Sequence, residues 1–216
     1  PDGVGIVWGC RLSVVSCKLA ETIPGIDFME ELVALAAEKG YPVAFIGGSE
    51  GVAQKALENL QKKYPGLQGW AETPPEINSL SNLGDLRYLS DVANKIRRTG
   101  VRFIFVGLGA PKQEFFIKEL QQYLSLRGEE RRSNLNEIAT AISWPRNDSV
   151  QPNILMSVGG SFDELSGKIP QAPKWISDLG MKWLWRLIIE PWRIGRQLKL
   201  IKFVWLVLTQ KVSGKI

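Results

Sequence analysis

V-G-L-G-A-P-K-Q-E, Val106 to Glu114, is the stretch whose reading decides the fold. It follows the apolar run Val101–Val106 and precedes a segment of helical spacing, Pro111 to Leu126. A strand, a Gly-rich turn and a helix N-terminus are the predicted pieces. Gly107 and Gly109 allow a tight turn and a close approach of backbone to a ligand. Pro111 suits a first helical position. Lys112, Gln113 and Glu114 then fall in the first turn, where free backbone N–H groups favour an anion. A cation, an amide and a carboxylate on such a turn suit a ligand site. The same glycines would also serve an ordinary strand–helix connection.

The pattern recurs on both sides of this stretch. Tyr41–Ile46 reads as a strand, followed by Gly47-Gly48-Ser49-Glu50-Gly51 and a helix from Val52 to Tyr64. This turn could hold phosphate, with Gly47 and Gly48 as contacts. It is neither G-x-G-x-x-G nor a P-loop, because no Lys-Ser/Thr pair follows. Pro152–Val158 is a third strand. It runs into S-V-G-G-S-F-D, Ser157 to Asp163, where Gly159 and Gly160 form the third turn. Asp27 is a plausible N-cap for an amphipathic helix ending at Gly40. Leu67–Trp70 reads as a short strand, Thr73–Gly84 as a loop and Asp85–Arg98 as a helix. Near the start, Gly5–Trp8 is strand-like after P-D-G, where Asp2 on its own reads as a turn residue. The alternation predicts an α/β fold: a Rossmann-like, mostly parallel sheet with helices on both faces. Ligands in such sheets lie beyond the carboxyl ends of the strands. The three Gly-rich turns, and the Asp2 turn with them, are expected near one edge.

Composition narrows the chemistry. The chain has 216 residues and no histidine, which removes His general bases and the commonest zinc ligand sets. Cys10 and Cys17 are too few for a disulfide framework, so a reducing compartment is expected. No apolar run reaches the roughly 18 residues of a membrane span. The net charge of +5 is uneven: residues 174–216 carry nine Lys/Arg and two acidic residues.

Five of the eight tryptophans, Trp175, Trp183, Trp185, Trp192 and Trp205, share this tail. Two helices are expected there, about 173–189 and 191–208, broken at Pro191. Lys182, Arg186, Arg193 and Arg196 fall on one face. Three readings fit: a core helix pair with a solvated basic face, a helical appendage on an anionic membrane surface, or a cover supplying arginines to a phosphate. No nucleic-acid partner is expected, since no such motif appears. The predicted organisation is a body over 1–172, with a polar surface excursion at 127–151, and an appendage over 173–216.

Five ordered motifs then carry a resemblance. They are P-D-G-V-G-I-V-W at 1–8, P-G-I-D-F-M at 24–29, the 106–114 stretch, V-G-G-S-F-D-E-L-S-G at 158–167 and A-P-K-W…L-G-M-K-W-L-W-R-L-I-I-E-P-W-R at 172–193. Together they resemble the WecG/TagA/CpsF family of bacterial glycosyltransferases across nearly the whole chain except about 127–151. The resemblance implies an inverting, metal-independent transferase. It would move an N-acetylmannosamine-type sugar from a UDP-sugar to undecaprenyl-diphosphate-linked N-acetylglucosamine, at the cytoplasmic face of the plasma membrane.

It further implies Asp2 as catalytic base and Gln113 as a pocket residue, with Arg186, Arg193 and Arg196 reaching the diphosphate. No cofactor or metal is expected, which agrees with the lack of a D-x-D motif. A homo-oligomer is compatible with the pattern. Three departures stand out. The family's segment before the D-G motif is not in this sequence, so the family fold is expected to begin upstream of it. Thr22 stands where the family has a pocket Arg. Gly69-Trp70-Ala71 replaces its His-Gly-Tyr stretch. Loss of catalysis, leaving a nucleotide-sugar or lipid-diphosphate binding protein, is the alternative these departures raise.

Overall fold

The computed structural model describes residues 23–75, 86–124, 153–173, 175–176 and 181–191. In chain order the elements are α1 (Gly25–Lys39), β1 (Val43–Gly47), α2 (Val52–Lys63), β2 (Gly69–Glu72), α3 (Leu86–Thr99) and β3 (Phe103–Gly107). A helix over 112–124, here α4, follows. Then come β4 (Ile154–Ser157), the single turn α5 (Ser161–Leu165) and α6 (Lys182–Ile189). The four strands form one parallel sheet in the order β2-β1-β3-β4. The expected α/β architecture is therefore present, and the order carries a consequence. The chain leaves β1 towards β2 on one side and returns to place β3 on the other. Such a reversal opens a crevice between the carboxyl ends of β1 and β3, where ligands of open α/β sheets bind.

Period-two alternation sorts the buried side chains onto two faces. Ala44, Ile46, Ile104 and Val106 pack with Leu89, Val92, Ala93 and Ile96 of α3 and with Phe116 and Leu120 of α4. On the opposite face, Phe45 meets Phe105 edge-on at 5.4 Å and stacks on Phe162 of α5 at 5.1 Å. There α2 packs on β1, β2 and α5. Glu30 of α1 takes hydrogen bonds from Lys63 and Tyr64, which ties α1 to α2. Every residue of β1 and β3 is buried, as strands covered on both faces must be.

Several boundaries differ from the sequence reading. β1 starts at Val43 and not Tyr41, since Pro42 has no N–H for the ladder. β2 runs Gly69–Glu72, two residues later than expected, and α4 begins at Lys112 and not Pro111. Asp27 is not an N-cap: α1 begins at Gly25, and Asp27 sits in its first turn. There it favours the helix dipole instead. The tail does not carry one helix over 173–189. Residues 175–176 are helical, Met181 is not, and its N–H donates to the Ile176 carbonyl at 3.0 Å. α6 ends at Ile189, and its cap Glu190 has a φ of −123° and ψ of 70°, as suits a residue held out of the helical region by the following Pro191. The Gly5–Trp8 strand, the 127–151 excursion and the 191–208 helix lie outside the described residues.

Of the described residues, 29–168 form one compact unit, and 23–28 with 169–191 form another. Among the described residues no helix is long and apolar enough to cross a membrane. Within the second unit, Lys182 donates to both carboxylate oxygens of Asp27 at 3.0 Å. Arg186 Nε stands 3.9 Å from Glu190 Oε2, and the Trp185 indole donates to the Pro170 carbonyl at 3.1 Å. Trp175 is 62% exposed and Ile188 67% exposed, so this unit presents apolar side chains outward.

Candidate active site

The three Gly-rich turns leave β1, β3 and β4 at their carboxyl ends, where the sequence reading puts them. They are bound to one another as well. The Gly48 N–H donates to the Gly107 carbonyl at 2.8 Å, linking the first turn to the second. The Gly159 N–H donates to Gln113 Oε1 at 3.0 Å, linking the third to the second. The ladder adds Val158 N–H to Val106 carbonyl at 2.9 Å. Backbone groups that would otherwise be orphaned at a strand's end are thus used to align three turns.

Two glycines are explained by packing. Gly47 has φ +122°, and a Cβ there would lie 2.6 Å from the Gly107 carbonyl carbon and oxygen. A Cβ on Gly107 would lie 2.6 Å from the Phe162 ring. Gly107 therefore leaves room for Phe162, a protein side chain standing where the sequence reading had a ligand approach. Gly109, with φ +75° and nothing within 4 Å of an added Cβ, faces open space.

Gln113 is buried, 7% exposed, in the first turn of α4. Its Nε2 donates to Glu114 Oε1 at 2.9 Å while its Oε1 holds Gly159. Both ends of the amide are engaged, so the ring orientation of the third turn depends on this side chain. Lys112 is half-buried beside it. Gly159 and Gly160 precede α5, whose Ser161 hydroxyl donates to the Val158 carbonyl at 2.7 Å.

The edge also gathers residues that no motif announced. Lys168 donates to Ser49 Oγ at 3.2 Å, and its Nζ lies 3.5 Å from Asp163 Oδ1. At the outer strand β2, Lys95 pairs with Glu72 at 2.6 Å and lies 4.1 Å over the Trp70 ring. The Tyr88 hydroxyl is buried with no hydrogen-bond partner among the described residues. Burial, and secondly the nearby Glu72 carboxylate, push its phenol well above the ordinary tyrosine value.

Of the residues singled out from sequence, the structure thus brings together Gly47, Gly48, Gly107, Gly109, Lys112, Gln113, Gly159 and Gly160. Arg186 belongs to the second unit, beside Glu190. Asp2, Arg193 and Arg196 lie outside the described residues.

A parallel α/β sheet with glycine-rich turns joined at its topological switch point defines the class of protein: one that binds its ligand beyond the strands' carboxyl ends. Comparison with known proteins gives the family. The sequence profile of the glycosyl transferase WecG/TagA/CpsF family matches residues 1–127 and 142–216. The chain belongs to this family, and it is a glycosyltransferase. It is 28% identical over 217 residues to an N-acetylglucosaminyldiphosphoundecaprenol N-acetyl-beta-D-mannosaminyltransferase of Bacillus subtilis (strain 168). It is 29% identical over 216 residues to the protein of the same description in Bacillus spizizenii (strain ATCC 23059 / NRRL B-14472 / W23). Each alignment covers 100% of this chain and 70% of the relative. The residues that the family profile leaves unmatched fall inside the 127–151 stretch.

Proposed function

We propose that this chain transfers an N-acetylmannosamine-type sugar from a UDP-sugar to N-acetylglucosamine carried on undecaprenyl diphosphate. The observation that carries the reading is the joined set of turns at the ends of β1, β3 and β4, in a family whose relatives bear that activity in their names. The Rossmann-like edge supplies oriented N–H groups, suited to a diphosphate. In the transfer, the Asp2 carboxylate takes the proton of the acceptor hydroxyl. The hydroxyl oxygen attacks the anomeric carbon with inversion, and the bond to the UDP oxygen breaks. Turn amides and Lys112 stabilise the departing diphosphate, with no metal called on. Gln113 holds the third turn in the geometry that receives the sugar.

The appendage over 173–216 serves the lipid-linked substrate. Its exposed Trp175 and Ile188 suit the headgroup region, and its surplus of Lys/Arg suits an anionic surface. Arg186, Arg193 and Arg196 would meet the acceptor diphosphate, Arg186 after exchanging Glu190 for phosphate. The enzyme would act as a peripheral protein on the cytoplasmic face of the plasma membrane.

The test is Asp2→Asn. Transfer should fall by about 10²–10⁴-fold, with UDP affinity kept. Turnover like that of the unmodified enzyme removes Asp2 from the mechanism.

A further inference from the structure

We propose that Lys168 is a diphosphate-binding residue of the donor site, an assignment that rests on the nucleotide-sugar reading above. The first and third turns belong to β1 and β4, which are not neighbours in the sheet. Lys168 spans them, with Nζ on Ser49 Oγ at 3.2 Å and 3.5 Å from Asp163 Oδ1. With the Gly48–Gly107 and Gly159–Gln113 bonds it closes a ring of three links around the carboxyl edge.

Charge is the second part of the argument. Across the turns and the first residues after them, 47–51, 107–114 and 157–168, the cations are Lys112 and Lys168. Lys112 lies half-buried in α4, whereas the Lys168 side chain is 52% exposed. A leaving diphosphate needs a counter-charge at this edge, and an ammonium is a good point-charge partner for phosphate.

The present partners of Lys168 are exchangeable. An ion pair at 3.5 Å whose lysine is half-exposed contributes little, and a serine hydroxyl can turn to donate to a phosphate oxygen. A diphosphate, with at least two charges, displaces a single carboxylate. Ser49 would then share the same phosphate, since it already touches Nζ.

The experiment is calorimetric titration of the full chain with UDP and, separately, with uridine, which lacks the phosphates. Lys168→Met should weaken UDP about tenfold and leave uridine unchanged. Lys168→Arg should keep most of the UDP affinity. Added salt should narrow the gap between Lys168→Met and the unmodified protein. Equal UDP affinity in Lys168→Met overturns the assignment and leaves the donor-site reading standing. Equal weakening of UDP and uridine also overturns it, by showing that Lys168 only braces the turns. Failure of the unmodified protein to bind UDP overturns the donor-site reading, and this assignment with it.

Discussion

The carboxyl edge of the sheet and the helical unit that contains α6 are held by different forces. At the edge the contacts are short and mostly made by backbone: Gly48 to Gly107, Val158 to Val106, and Gly159 to a buried amide. Beneath them lies an aromatic floor of Phe45, Phe105 and Phe162. In the second unit, long side chains reaching carboxylates, Lys182 to Asp27 and Arg186 to Glu190, stand among the described contacts. Contacts of the first kind fix geometry. Of the second kind, the part-exposed Lys182–Asp27 pair exchanges readily for other ions, because such pairs contribute about 0–1 kcal/mol, whereas the Arg186–Glu190 pair is largely buried. The proposed reaction, which holds a nucleotide rigidly and meets a lipid surface adaptably, has use for both.

The largest test of the difference is Phe162→Ala. The ring is buried and stacked at 5.1 Å on Phe45, so its loss should cost about 3–5 kcal/mol in urea unfolding. Next comes Gln113→Leu, which leaves the Gly159 N–H without its acceptor. It should cost about 1–3 kcal/mol and lower turnover with a UDP-sugar. An unchanged turnover would mean that the third turn needs no brace. Lys182→Ala should cost no more than about 1 kcal/mol, and less in high salt. A loss as large as that of Phe162→Ala would erase the contrast between the two regions. Trp175→Ala with Ile188→Ala should leave stability nearly unchanged but reduce co-sedimentation with anionic vesicles. Equal sedimentation would count against a membrane-facing appendage.

The smallest loss at neutral pH belongs to Tyr88→Phe, which removes a buried hydroxyl without a hydrogen-bond partner among the described residues and should cost no stability. Its signature is alkaline. The folded phenol titrates above the unfolded one, so folded protein keeps a proton that the unfolded chain releases above about pH 10. Stability is therefore full below that pH and declines as pH rises past it. Tyr88→Phe should flatten that decline. An identical alkaline slope in the variant would show that Tyr88 is not its source.

Much of the sheet was legible because buried parallel strands announce themselves as apolar runs ending in glycine. Val43–Gly47 and Phe103–Gly107 are of this kind, and the placement of their turns at one edge followed from βα alternation. What local pattern does not encode is which turn touches which. Gln113 and Gly159 are 46 residues apart, and Lys168 and Ser49 are 119 apart. Lys168 sits in a loop after S-G with no periodicity to single it out. Gly107 misled for a related reason: a glycine needed for a ligand and one needed for a phenylalanine look alike until the phenylalanine is placed. The break at Met181 was missed because the apolar spacing of the tail continues across it. The resemblance of five ordered motifs gave the family where no single motif would have.

The ring of links has a measurable consequence for motion. The amides of Gly48 and Gly159 are donors on two of its sides, so their hydrogens exchange with solvent only when the ring opens. If the three turns move as one body, both amides share one opening free energy, and a diphosphate ligand slows both by the same factor. Two glycine amides then serve as a built-in gauge of site occupancy, readable without following the reaction.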